Sequence, residues 1–562
     1  MNDALKRPAG TDMVKRDLHS PIRMPAGLDP TVGSRKDCTM KCVFLLWIAA
    51  LVLLAAGQMA RAADVVLKAA DLIPVGARQF VAFGLTLPEP DMTLPIVGPG
   101  NNKDGAQLLR YLNAKGAVNG FHGILYDNRD RGHSIIRPEE FPRLLFLRYG
   151  PDLKARGFDY GRAGPLVLPA AVFGNSSTAI TGGDAPRSQT RQLMTSGDGP
   201  ALSARLYQNN HIYIYPEHRD HDAHDTFPAN WPYTVTSQGS SGTDKGFLRA
   251  FAMTLAAFPR ETMDVMRKNG LVVPTLQMIM RRNLKTVSSR EAYLSGAAHP
   301  TVFAQDQLRP GRMVGHANQM QPDEIPPVLQ LRVEREDFAE TAGLDGRSER
   351  LFDTLSAVAR LWRGFEWEKE LVVTASPQVN PGNRPLTYEW RLLHGNPALV
   401  EIEPQGPDGQ TARIRIRWHD AFPEPVYGRP GYGDEERSRR LVSRVDIGVF
   451  ANNGIHDSAP AFVSVDFPTH QRRLYTAAED GTRRLSLIDY DATRRGQYYD
   501  PLLYWSAAWT DRPVYGADGR LTGWNRRWGD GRSAIVPVEP QADASRYRLD
   551  RSIRRNPVLV YE

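Results

Sequence analysis

The stretch that decides the fold is Tyr233 to Phe258, YTVTS-QGSSGTD-KGFLRAFAMTLAAF. Its first five residues are β-branched or aromatic at alternate positions, the mark of a short strand. From Lys245 the period changes. Phe247, Leu248, Phe251, Leu255 and Phe258 fall on one side of a helix, with Thr243 and Asp244 placed to cap its start. A strand that enters a Gly/Ser loop and then a helix is the repeating unit of an α/β domain.

The same arrangement recurs upstream. Asn210 to Tyr215 (NHIYIY) alternates as a strand, and Pro165 to Phe173 (PLVLPAAVF) is an apolar run ending in Gly174-Asn175-Ser176-Ser177-Thr178. Phe121 to Tyr126 (FHGILY) is a third strand, ending at Asp127. Helices are expected at 105–117, 245–258, 260–269 and 274–285. Residues 63–345 therefore read as one α/β domain. Its strand order is not written in the sequence, and no fixed-period repeat is present.

Each strand runs into polar residues, and these are the candidate site. His218-Arg219-Asp220-His221-Asp222-Ala223-His224-Asp225 packs three imidazoles and three carboxylates into eight residues. Neutral imidazole and ionised carboxylate are ligands for zinc and similar divalent ions. His218, His221 and Asp222 are the expected metal ligands, with Glu217 as a further carboxylate or a base beside metal-bound water. The alternative is a solvated loop whose charges pair locally. Asp127, in Asp127-Asn128-Arg129-Asp130-Arg131-Gly132-His133-Ser134, is expected as an additional ligand or base, the alternative being an Asp/Arg-paired turn.

Gly239, Ser241 and Gly242 lie before a helix N-terminus, where backbone N–H groups favour an anion. Ser240 is a candidate nucleophile with His218 as its base. The loop is neither a P-loop nor a nucleophile elbow, for no Gly-Lys-Ser/Thr follows and the glycine spacing differs. A capped turn is the plain alternative. In open α/β sheets ligands bind beyond the carboxyl ends of the strands, so the four loops are expected to share one rim.

Beyond Val372 the texture becomes short strands punctuated by Pro and Gly, with Thr411 to Trp418 (TARIRIRW) alternating strictly. Ala375-Ser376-Pro377, Asn380-Pro381-Gly382 and Pro385-Leu386-Thr387-Tyr388-Glu389-Trp390 resemble the opening strands of PKD-type domains. Val445 to Phe450, a turn at Asn452-Asn453-Gly454 and Phe462 to Phe467 are similar to that family's closing hairpin. After Trp390 the sequence departs from the family, with Arg391-Leu392-Leu393-His394-Gly395 in place of its aspartate and glycine-rich turn. The resemblance covers 368–468 and implies an immunoglobulin-like spacer or binding module, Trp390 anchoring its core, and no catalysis. Residues 346–367 are expected as a connecting helix or linker. Residues 469–562 read as a β-rich C-terminal region with a hairpin about Asp518-Gly519. The expected fold class is thus multidomain: an N-terminal α/β domain, an Ig-like/PKD-like β-sandwich and a β-rich C-terminal region.

Residues 1–62 form the expected leader. Val43 to Gly57 is uncharged, Lys41 lies upstream, and Ala60-Arg61-Ala62 supplies small residues for cleavage, the pattern of a secretory signal peptide. The run is shorter than the roughly 20 residues of a membrane span, so contact with a membrane is expected only if the leader stays uncleaved as an anchor. Met40 is an alternative start. The expected location is periplasmic, cell-surface or secreted.

The two cysteines, Cys38 and Cys42, both precede the cleavage site, so disulfides and thiol chemistry are excluded from a processed chain. Formal charge is +7, but residues 1–62 hold nine Lys/Arg and five Asp/Glu, leaving 61 basic against 58 acidic residues, a net of +3. That balance gives no footprint for nucleic acid. The expectation is a metal-assisted hydrolase acting on an unknown substrate, with carbohydrate among those open. The alternative is a non-enzymatic envelope or surface binding protein.

Overall fold

The computed structural model describes residues 63–76, 79–161, 164–176, 189–195, 197–217, 227–423, 441–478, 481–490, 505–538, 546–550, 552 and 558–562. Its organising element is a six-stranded, fully parallel sheet: β1 (Asp64–Leu67), β2 (Ile124–Arg129), β3 (Leu145–Tyr149), β4 (Ala171–Ser176), β5 (His211–Pro216) and β6 (Thr234–Ser237). The spatial order is β1-β3-β2-β4-β5-β6. From β2 the chain moves outward to β3, then crosses back over β2 to begin β4. The order therefore reverses between β2 and β4, which makes their carboxyl ends the switch point of the sheet.

Side chains alternate across this sheet. Ile124, Tyr126, Phe173, Ile212, Ile214 and Val235 face one side. There they pack on Phe247, Leu248, Phe251 and Leu255 of the helix Lys245–Ala257 (α3 below). Leu125, Leu147, Tyr149, Val172, Tyr213 and Tyr215 face the other side and form a separate core. Three helices matter below: α1 (Gln189–Thr195), α2 (Gly199–Gln208) and α3 (Lys245–Ala257). Among the described residues no helix is long and apolar enough to cross a membrane.

The second half is built from antiparallel-rich sheets. β7 (Val328–Glu336), β10 (Glu368–Val379), β13 (Thr411–Arg417) and β12 (Val400–Gln405) lie side by side in that order. The facing sheet has the order β8 (Arg350–Thr354), β9 (Ala357–Leu361), β15 (Ala461–Asp466), β14 (Arg444–Asn452) and β11 (Thr387–His394). Only β9 and β15 run parallel in it. Between the sheets sit Leu371, Val373, Trp390, Ile414, Ile416, Val445, Ile447, Val449, Val463 and Val465. This is a β-sandwich, which in general terms fits an Ig-like domain. Trp390 is buried in it, its indole N–H donating to Gly409 O at 2.9 Å.

Two segments differ from the sequence reading. Residues 346–367 contain β8 and β9, not a helix or linker, and β7 joins the sandwich although it falls within 63–345. For β9 the reason is burial on both faces. Every residue of β9 is buried, as is every residue of β15. The outward face of that sheet carries Ala357, Phe450 and Phe462 into the α/β core. A strand covered on both sides shows no alternation and is not separable by periodicity from a buried helix.

A further five-stranded meander spans Arg472–Ala477, Arg483–Asp489, Trp509–Tyr515, Leu521–Trp528 and Ser533–Pro537. The turn at Asp518-Gly519 joins its third and fourth strands, with Gly519 at φ +76°. Trp509 and Trp524 are buried there, around an ion pair between Arg526 and Asp511 at 2.7 Å that is itself fully buried.

Candidate functional site

The alternation of β2 splits the run 127–134 between two faces. Asn128 follows Tyr126 onto the α3 face. There its side-chain amide donates to Asn175 Oδ1 of β4 at 2.9 Å, and the Tyr126 hydroxyl donates to the same oxygen at 3.0 Å. The Asn175 amide in turn donates to Asp244 Oδ2 at 2.8 Å. A chain of polar groups therefore spans the switch point from β2 through β4 to the start of α3.

Asp244 is the centre of this arrangement. It occupies the N-cap position of α3 but makes no side-chain capping bond. Its carboxylate points across the rim to Asn175, and the residue has no exposed surface. Oδ1 has no hydrogen-bond partner among the described residues. Burial pushes the Asp244 carboxyl above the usual aspartate range; the Asn175 bond and Ser134 oppose this, and the charge of Asp130 adds to it. A buried carboxyl with one oxygen held and its proton affinity raised is suited to giving or taking a proton.

The loop after β2 is tightly folded. Asn128 Oδ1 accepts from Gly132 N at 2.8 Å and Asp130 N at 3.3 Å, while the Asn128 amide also donates to His133 O at 3.0 Å. Arg131 and Ser134 take left-handed backbone angles, φ +49° and +52°. Such conformations cost of order 1 kcal/mol and persist where surrounding contacts impose them.

Asp127 lies on the opposite face. It is fully buried, with Oδ1 accepting from the Tyr149 hydroxyl at 2.8 Å and Oδ2 from the Tyr213 hydroxyl at 2.6 Å. Arg129 Nε is 3.7 Å from Oδ2. Burial raises the Asp127 carboxyl, opposed by Arg129 and the two hydroxyls. The fold thus does not bring Asp127 together with the 239–242 loop.

Gly239 and Gly242 adopt φ +106° and +95°, which fold residues 238–244 into a compact turn. The Thr243 hydroxyl donates to Ser240 O at 2.8 Å and lies 3.0 Å from Ser237 Oγ. Ser240 and Ser241 are exposed at the tip. Glu217 follows β5 directly and is buried, its backbone N–H donating to Ser237 O at 3.0 Å. His218, His221 and Asp222 lie outside the described residues. Among the described residues no three His, Cys, Asp or Glu side chains are grouped as a metal site.

Sequence reading sets the loop 174–178 at the expected rim without naming Asn175 as a site residue, and takes Asp244 only as a cap. The available signal was alternation: Tyr126, Asn128 and Phe173, Asn175 each place an amide one step beyond an aromatic on the same face of neighbouring parallel strands.

No family model matches the chain. No curated protein matches it either. Two solved structures show weak likeness. One is the N-terminal Ig1-2 module of the Drosophila receptor protein tyrosine phosphatase DLAR, at 10% identity and TM-score 0.11, covering 38% of this chain and 100% of that one. The other is a nucleoside hydrolase-related hypothetical protein from Saccharophagus degradans, described as associated with carbohydrate metabolism. It is 8% identical with TM-score 0.18, covering 61% of this chain and 98% of that one.

Proposed function

We propose that the chain is an exported metal-assisted hydrolase whose reaction takes place at the β2/β4 switch point, on the α3 face of the parallel sheet. The observation that carries this reading is Asp244, a buried carboxyl with a raised proton affinity and an unpartnered Oδ1, held by Asn175 where the strand order reverses. Its role is general acid or base, with Asn128 and Asn175 fixing its orientation. The metal part of the proposal rests on the composition of residues 217–222: Glu217, His218, His221 and Asp222 carry oxygen and nitrogen ligands suited to a zinc-like ion. Export rests on the leader pattern of 43–62. The sandwich acts as a PKD-like accessory module that seats the α/β domain.

The test is turnover of chromogenic esters, phosphates, sulfates and glycosides by the purified protein, with metal analysis alongside. Asp244→Asn is expected to lower turnover about 100-fold or more while the fold is kept. His218→Ala with His221→Ala is expected to remove bound metal. Unchanged turnover in Asp244→Asn would remove the proton-transfer role, and unchanged metal content in the double variant would remove the metal. The second reading, a non-enzymatic surface-binding protein, draws on the C-terminal meander, which exposes Ile535 at 72% on one edge strand, Leu474 on the other and Tyr515 on its middle strand. Absence of turnover on every substrate class would favour it.

A further inference from the structure

On the face of the sheet away from α3, a cavity of about 240 Å³ opens between the carboxyl ends of β2 and β5 and the helices α1 and α2. It belongs to neither the Asp244 network nor the 239–242 loop. Its walls mix apolar and polar groups, with Leu202, Leu206 and the Tyr215 ring beside Gln189, Gln192 and Ser203. Arg129 is the one basic side chain among its described lining residues, and Asp198 the one acidic.

Arg129 is only 5% exposed, and its donor set is partly spent, on Gly164 and beside Tyr149. Nη2 donates to Gly164 O at 3.0 Å. Nε has no hydrogen-bond partner, because Asp127 Oδ2 stands off at 3.7 Å. Both Asp127 oxygens are already taken by the hydroxyls of Tyr149 and Tyr213. Nε itself is closed to solvent, so a ligand oxygen meets the guanidinium through the part of Arg129 that lines the cavity. The first turn of α2 reaches the same cavity at Gly199, bringing the partial positive end of a ten-residue helix.

We propose that this cavity binds a small monocarboxylate, its carboxylate on Arg129 and its hydrocarbon part against Leu202, Leu206 and Tyr215. Arginine presents parallel N–H donors that match a carboxylate. Size and wall chemistry set the rest. Drug-sized ligands occupy roughly 300–1,000 Å³, so a cavity just below that range takes one ring or a short chain. Asp198 at the wall disfavours a second negative charge.

The experiment uses benzoate and hexanoate as probes, with benzamide as the neutral isostere of benzoate, in calorimetric titration of the full chain. Benzoate or hexanoate is expected to bind with a dissociation constant of about 1 mM or tighter, and benzamide at least tenfold more weakly. Arg129→Gln is expected to abolish binding. Because that variant disturbs the Asp127 cluster, Leu206→Trp serves beside it: it fills the cavity from α2, leaves Arg129 in place and is expected to weaken binding at least tenfold with an unchanged circular dichroism spectrum. Absence of binding by both carboxylates, equal binding of benzamide, or full binding in folded Leu206→Trp would each overturn the proposal.

Discussion

Asp244 stands at a position where an aspartate normally stabilises its own helix, and here its carboxylate is directed elsewhere. Its cost is visible in linkage. Burial places the folded pKa above the unfolded value of 3.8, so the folded chain binds this proton more tightly than the unfolded chain. The stability this supplies is complete below the unfolded pKa and is lost as pH rises through the folded one. Asp244→Asn keeps an acceptor for Asn175 and removes the charge. It is expected to raise the denaturant midpoint at pH 7, and the gain is expected to vanish at pH values below the ordinary aspartate range. A midpoint lowered at neutral pH would show the carboxylate to be a net stabiliser. Strand alternation sends Asp127 and Asn128 to opposite faces, whereas the sequence reading sets Asp127 at the rim shared with the 239–242 loop. The partnership of Asp244 with Asn175 was not legible in the sequence, for it depends on where α3 begins over the sheet, 69 residues along the chain from its partner on β4.

At the scale of elements, the β2/β4 pairing has a steric lock at Gly174. A Cβ there would lie 2.0 Å from the backbone oxygen of Asp127 and 3.1 Å from the ring of Tyr213. Neither backbone can yield without separating the two strands whose ends carry Asn128 and Asn175. Gly174→Ala is expected to cost about 1–3 kcal/mol or more by overpacking. Gly197→Ala, with nothing within 4 Å of its added carbon, is expected to stay within about 0.5 kcal/mol of the parent. Urea titration of both variants checks the pair. Equal midpoints would mean that the sheet relaxes at this crossing. The helix at 245–257 was legible from its period and the strands at 211–216 and 234–237 from their aromatic and β-branched residues, although both strands are buried throughout. The strand at 357–361 was not, since Ala357 and Val358 both meet packed cores, one on each side.

At the scale of the molecule, the sandwich and the α/β domain share packing that a spacer module would lack. Phe450 and Phe462 stack around His299 and Tyr293, Asn230 N donates to Ser464 Oγ at 3.0 Å, and Arg290 pairs with Asp457 at 2.7 Å. Phe462→Ala is expected to cost about 3–5 kcal/mol and to lower the thermal midpoint of both parts together; a second transition appearing alone would separate them. Buried histidines set the behaviour of the same assembly in acid. His211 and His419 share one design: Nε2 accepts a backbone N–H, from Leu168 at 2.9 Å and Asn396 at 3.2 Å, and Nδ1 faces the carbonyl two residues earlier. Each ring is held neutral, since protonating Nε2 would set two donors against each other. Desolvation lowers both to about 4, from 6.5 in the unfolded chain. The unfolded state therefore takes up protons first. Stability is full above pH 6.5 and falls as pH drops toward 4, each histidine contributing on the order of 3 kcal/mol. His211→Gln with His419→Gln is expected to make the dependence of unfolding free energy on pH shallower by about two protons across that window. An unaltered slope in the double variant would assign the proton uptake to other groups.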